Sequence, residues 1–127
     1  MKYRNILLID DDTDDAYIFI EAVNAVKESI IIQHEHNPLV ALENLKFAEK
    51  LPDLILLDFN MPYLNGREFL CRLKCESNLC SIPVILISSP PGEFVIDLLE
   101  NNQIRQYISK PNSFNELITI LKAILKA

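Results

Sequence analysis

The chain has 127 residues, of which 50% are hydrophobic and 24% are charged, and its formal net charge at pH 7 is −6. This length fits one domain, and this composition excludes a disordered or fibrous protein. Twelve basic against eighteen acidic residues, without a cluster of lysine and arginine, argue against nucleic-acid binding. The sequence starts without a signal peptide and has no apolar run long enough to span a bilayer, so we expect no membrane segment.

The three cysteines are an odd number in such a chain, which indicates a reducing cytoplasm. Cys71 and Cys75 are expected to share one helix face, so they could belong to a metal site. No histidine or further cysteine nearby completes a tetrahedral set of ligands. We therefore expect Cys71, Cys75 and Cys80 to be buried and inert.

Short apolar segments alternate with segments of helical character along the whole chain. Strands are predicted at residues 5–10, 30–35, 54–58, 83–88 and 104–109. Helices are predicted at residues 14–27, 38–50, 67–77 and 93–100, and from residue 113 onward. This alternation indicates a single α/β domain with a doubly wound parallel sheet, because parallel strands need helical crossovers that cover both faces.

Local signals place several helix ends and helix faces. The acidic and polar residues 11–15 can cap the first helix, and Asn37-Pro38 is an N-cap followed by proline at the first helical position. In the third helix, Leu70 and Leu73 are expected to point inward. The last helix carries a sheet-facing stripe with helical spacing, made of Phe114, Leu117, Ile118, Leu121 and Leu125.

In the third predicted strand, four consecutive Leu and Ile residues run directly into Asp58. Such a strand is typically covered on both faces. In open α/β sheets, ligands bind outside the carboxyl ends of the strands. The side chains expected at this edge are those of Asp10, Asp11, Asp58, Ser88 and Lys110.

Several carboxylates at one edge repel each other unless a cation is bound or a pKa is raised. Mg²⁺ fits best, because it prefers hard oxygen ligands and is commonly held by one or two carboxylates. A hydroxyl and an ammonium group beside such a site suit a transferring phosphoryl group. Asp58 would then be the nucleophile that accepts it.

These residues together resemble the response-regulator receiver domains of two-component signalling, of the stand-alone type found in chemotaxis regulators. The resemblance covers the whole chain, and the position of the family's aromatic switch falls on Tyr107. The other matching positions are Asp10, Asp11, Asp58, Met61, Pro62, Gly66, Ser88, Lys110 and Pro111.

The resemblance implies a flavodoxin-like (βα)5 fold with strand order 2-1-3-4-5. It implies that Asp10, Asp11, Asp58 and the backbone carbonyl of Asn60 bind Mg²⁺. It further implies that Asp58 accepts a phosphoryl group from a histidine kinase or a phosphotransfer protein.

Ser88 and Lys110 would hold the oxygens of the transferred group, and Ser88 and Tyr107 would form the switch. Residues 1–127 are then expected to form one receiver domain without an output domain. The protein would be no enzyme apart from catalysing its own phosphorylation and dephosphorylation. Its output would be a protein contact, as a monomer or weak dimer. Two roles fit: an adaptor that binds an unknown downstream protein when phosphorylated, or a relay intermediate that passes its phosphoryl group to another histidine.

Two alternatives stay open at this point. Pro90 and Pro91 follow Ser88, and their two fixed φ angles would restrict a loop that moves in this family. A pseudo-receiver scaffold that binds its partner regardless of phosphorylation is therefore the competing function. His34 and His36 could form a phosphohistidine or metal site, but we expect them to lie at a solvated strand end.

Overall fold

In the part of the chain that the structure describes, five parallel strands form one sheet in the order β2-β1-β3-β4-β5. The computed structural model describes residues 3–58, 66–88, 104–109 and 113–125 of the chain. The strands are β1 (Asn5–Ile9), β2 (Ile31–Glu35), β3 (Leu54–Asp58), β4 (Val84–Ser88) and β5 (Gln106–Ser109). The predicted sheet, its strand order and the doubly wound fold are confirmed.

Four helices are present in the described part of the chain. They are α1 (Thr13–Val26), α2 (Pro38–Phe47), α3 (Gly66–Cys75) and α4 (Phe114–Leu125). The helix predicted at 93–100 and the Pro90-Pro91 segment lie outside the described residues. Within the described ranges, no helix combines the length and the apolar character that crossing a bilayer requires.

Helices cover both faces of the sheet, and β3 contributes to both cores. All five residues of β3 are buried. Ile55 and Leu57 face α2 and α3, whereas Leu54 and Leu56 face α1 and α4. Full burial of such a side chain contributes roughly 2 kcal/mol through the hydrophobic effect. The side chains of β3 are thus packed from two sides, and the strand holds Asp58 rigidly at its end.

The predicted N-caps of α1 and α2 are present in the structure. A carboxylate oxygen of Asp12 accepts hydrogen bonds from the backbone N–H groups of Asp14 (3.0 Å) and Asp15 (3.2 Å). The side chain of Asn37 accepts one from the N–H of Leu39 (2.9 Å). α2 ends at Phe47 rather than at the predicted residue 50, because the backbone of Ala48 is extended and begins the return to the sheet.

Two expectations about buried side chains are wrong. Cys71, Cys75 and Cys80 are exposed rather than buried, and none forms a disulfide. α3 turns Phe69, Leu70 and Leu73 into the core, which leaves both helix cysteines on its solvent side. In α4, Leu117, Leu121 and Leu125 are buried as predicted, but Phe114 is 41% exposed because it lies in the first turn.

Candidate metal centre

Three acidic side chains meet at the carboxyl ends of β1 and β3. These strands are neighbours, and Ile9 pairs with Leu57, so the following residues Asp10 and Asp58 lie side by side. Each of Asp10, Asp11 and Asp58 offers a carboxylate oxygen, and the three oxygens lie within 4.8 Å of one another. The structure therefore brings together the three carboxylates that the sequence placed at this edge.

Two of these carboxylates are buried, which distinguishes the cluster from ordinary surface acids. Asp10 is 1% exposed and Asp58 is 2% exposed, while Asp11 is half-buried. Burial of a carboxylate is costly unless its charge is compensated by hydrogen bonds or by a cation. Three hard oxygen donors at this spacing match the ligand preferences of Mg²⁺ and similar divalent ions. The arrangement fits a divalent metal ion.

The rest of the acidic run after β1 has a different task. Asp12 is exposed and caps α1 through its side chain, as described above. Its backbone N–H also donates to a carboxylate oxygen of Asp10 at 2.9 Å. Asp14 and Asp15 lie in the first turn of α1, where negative charge interacts favourably with the helix dipole. Only Asp10 and Asp11 of this run belong to the cluster.

β2 fixes the backbone of Asp10 from the other side. The Asp10 N–H donates to the Glu35 carbonyl at 3.2 Å. The ring nitrogen Nε2 of His34 lies 2.7 Å from the Asp10 carbonyl oxygen. The expectation that His34 lies at a solvated strand end is therefore wrong, because the ring is half-buried and bonded. His36, with 72% of its side chain exposed, does lie in solvent.

The remaining predicted site residues are described only in part. Ser88 ends β4, directly after Ile87, the register partner of Asp58. Tyr107 pairs with Leu86 in β5, is half-buried and packs against the core beneath α2 and α3. Asn60 and Lys110 lie outside the described residues.

The fold and this site define a flavodoxin-like domain with a candidate divalent-cation centre at the carboxyl edge of its sheet. The sequence profile of the response regulator receiver domain matches residues 6–122. The chain belongs to this family.

Several relatives are similar over most of the chain. The probable methanogenesis regulatory protein FilR2 of Methanothrix harundinacea is 28% identical over 116 residues, which are 88% of this chain and 75% of FilR2. Response regulator Rcp1 of Synechocystis is 27% identical over 128 residues, covering 94% of this chain and 84% of Rcp1. Other relatives are much longer, and the chain spans 15% of the sensor histidine kinase CheAY of Helicobacter pylori.

Solved structures show the same fold. The phosphorylated cyanobacterial phytochrome response regulator RcpA has a TM-score of 0.84 and 28% identity, covering 96% of this chain and 91% of RcpA. The Mn²⁺-bound form of Rcp1 has a TM-score of 0.84 and 24% identity, covering 98% of this chain and 96% of Rcp1. Both comparisons extend over almost the whole chain.

Proposed function

We propose that the chain accepts a phosphoryl group on Asp58 in a Mg²⁺-dependent reaction, and that a histidine kinase or phosphotransfer protein donates it. The observation that carries this proposal is the cluster of Asp10, Asp11 and Asp58 at the end of the buried central strand. Family membership makes a phosphodonor of this class the expected partner. The output is a protein-binding surface that changes when Asp58 is modified.

The reaction is nucleophilic displacement at phosphorus. A carboxylate oxygen of Asp58 attacks the phosphorus, and an O–P bond forms as the bond from phosphorus to the donor's imidazole nitrogen breaks. The electron pair of that bond leaves with the imidazole. Asp10, Asp11 and, as the family resemblance implies, the Asn60 carbonyl would hold the metal ion. When bound, the ion supplies positive charge that stabilises the phosphoryl oxygens in the transition state.

Ser88 and Lys110 are assigned to the oxygens of the new aspartyl phosphate. Ser88 is suited to this because its strand neighbours that of Asp58. The phosphoryl group carries roughly 1.5–2 negative charges. About one of these is a net gain, because the ionised carboxylate of Asp58 loses its own charge when the O–P bond forms. Movement of Ser88 toward the phosphoryl oxygens would let Tyr107 turn inward. This would change the surface formed by β5, α4 and residues 93–100. A near-complete switch needs about 5.5 kcal/mol of differential stabilisation.

Two relatives support the proposal. RcpA was crystallised in a phosphorylated form. Rcp1, which is 27% identical to this chain, was crystallised with bound Mn²⁺. We assign Mg²⁺ to this chain because its predicted ligands are hard oxygen atoms. We also place the protein in the cytoplasm, where its three exposed thiols stay reduced, and assign it no catalysis beyond its own phosphorylation and dephosphorylation.

Intact-mass measurement after incubation with acetyl phosphate and Mg²⁺ tests the proposal. The parent protein is expected to gain the mass of one phosphoryl group, and the gain should disappear in EDTA. Asp58→Asn is the matched control, because it keeps the size of the side chain and removes the nucleophilic carboxylate. No mass gain in the folded parent protein would favour the pseudo-receiver scaffold instead.

A second measurement distinguishes a relay intermediate from an adaptor. A relay intermediate loses its phosphoryl group to a histidine phosphotransfer domain faster than to water. An adaptor loses it at the same rate with and without such a domain, and it binds a target protein only while phosphorylated.

A further inference from the structure

The contact between His34 and Asp10 has a defined direction. A carbonyl oxygen can only accept a hydrogen bond, so Nε2 of His34 carries the hydrogen and donates it. The distance of 2.7 Å is at the short end of the range for N–H···O bonds. The residue is half-buried.

This bond stands where the backbone ladder between β1 and β2 stops. The last rung joins the Asp10 N–H to the Glu35 carbonyl. In a parallel pair the next rung would join the Asn37 N–H to the Asp10 carbonyl. Instead, the Asn37 N–H donates to the Glu35 carboxylate at 3.0 Å, and the Asp10 carbonyl accepts from the His34 ring. Side chains of β2 therefore provide hydrogen-bond partners for the Asn37 N–H and the Asp10 carbonyl, which would otherwise bond to each other.

The peptide unit that His34 holds joins two of the three carboxylates. The carbonyl of Asp10 and the N–H of Asp11 belong to one rigid plane, so a bond to that carbonyl restrains the orientation of the whole plane. The Asp10 N–H and one Asp10 carboxylate oxygen are held as well, by Glu35 and by the Asp12 N–H. His34 completes this set of restraints.

We propose that His34 is a positioning residue for the cation site. It holds the peptide between Asp10 and Asp11 in the orientation that directs both carboxylates toward Asp58. His34 acts through the backbone of Asp10, since the Nε2 hydrogen is committed to that bond. The inference rests on the proposed function, because it assumes that the three carboxylates bind a divalent ion.

Mn²⁺ binding to the full chain tests this role, with the EPR signal of free Mn²⁺ as the readout. His34→Leu removes the donor and keeps an apolar side chain of similar bulk, whereas His34→Gln keeps an N–H donor at similar reach. His36→Leu is the matched control on the neighbouring exposed histidine. We expect about tenfold weaker Mn²⁺ binding for His34→Leu, a typical loss when support around a metal ligand is removed. His34→Gln should recover most of the affinity, and His36→Leu should leave it unchanged.

Thermal unfolding in EDTA separates positioning from general support of the fold. A merely structural role would lower the Tm of His34→Leu without changing the Mn²⁺ affinity of the molecules that are folded. Equal affinity in His34→Leu and the parent protein would overturn the inference. Absence of Mn²⁺ binding in the parent protein would instead overturn the proposed cation site.

A measurement on the parent protein needs no variant to fold. In ¹⁵N NMR spectra, His34 is expected to carry hydrogen on Nε2, and this hydrogen should exchange with water more slowly than any ring hydrogen of the exposed His36. A His34 ring that lacks the Nε2 hydrogen, or that exchanges it as fast as His36, would also overturn the inference.

Discussion

The carboxylate of Asp53 accepts a hydrogen bond from the backbone N–H of Asn5 at 3.0 Å, and this contact joins the starts of β3 and β1. The same oxygen accepts from the N–H of Arg4 at 2.9 Å, and the Asp53 N–H donates to the Asn5 carbonyl at 2.8 Å. The two central strands are thus fastened at the amino edge of the sheet, opposite the acidic cluster. The bonds from Arg4 and Asn5 lower the pKa of Asp53 below its ordinary value, because they stabilise the ionised carboxylate.

Asp53→Asn is expected to lower the free energy of unfolding at pH 7 by about 1 kcal/mol, since a neutral amide accepts these bonds more weakly. The pKa of Asp53 is lower in the folded than in the unfolded chain. Its stabilising effect is therefore present above an unfolded pKa of about 4 and is lost as the pH falls through the folded pKa. The difference in unfolding free energy between parent and variant, measured with urea, should shrink as the pH falls below about 4. Glu21→Gln, at an exposed site on α1, is the control that removes one carboxylate elsewhere.

Divalent metal is expected to raise the melting temperature of the parent protein, because an ion that binds only the folded state stabilises it by mass action. At a metal concentration of 100 times Kd the gain is about 2.7 kcal/mol. Asp11→Asn should lose most of this gain, as it removes one of the three carboxylates. Asp12→Asn is the control, since asparagine still caps α1. An equal gain in Asp11→Asn and the parent would contradict the assignment of Asp11 as a ligand.

Leu56→Ala is expected to destabilise the fold by about 2–5 kcal/mol, because Leu56 is 0% exposed at the centre of the sheet and its truncation leaves a cavity. Ile31→Ala, at a position that is 57% exposed on the edge strand β2, should change stability by about 0.5 kcal/mol or less. Chemical denaturation of both variants measures the contrast. Similar losses at the two sites would mean that burial does not control stability here.

All three thiols are expected to react with Ellman's reagent in the native protein, because Cys71, Cys75 and Cys80 are exposed. The native and the urea-unfolded protein should then yield the same number of reacted thiols. Cys71→Ser should lower the native count by one. A native count below the unfolded count would show that at least one thiol is protected by the fold.

The sheet and the acidic cluster were predictable because they depend on patterns within single segments. Apolar runs that end in acid, such as the one before Asp58, indicate a strand and place its last residue at the carboxyl edge. Alternation with helical segments makes those edges coincide. Neither inference needs the contacts between distant parts of the chain.

The features that could not be predicted depend on such contacts. The hydrogen bonds that Asp53 accepts depend on its position beside Arg4 and Asn5, which are almost fifty residues away in sequence. The bond of His34 depends on where the ladder between β1 and β2 stops. The spacing of Cys71 and Cys75 indicates a shared helix face, but only the packing of Phe69, Leu70 and Leu73 decides that this face is the outer one.

The burial of β3 from both sides limits how this domain can change shape. A shift of Asp58 along or across the sheet would pull Leu54 and Leu56 out of one helical layer and Ile55 and Leu57 out of the other. Repacking two cores at once costs far more than reorienting a side chain at the rim. Under the proposed function, modification of Asp58 would therefore be communicated by neighbours that rearrange while Asp58 itself stays in place.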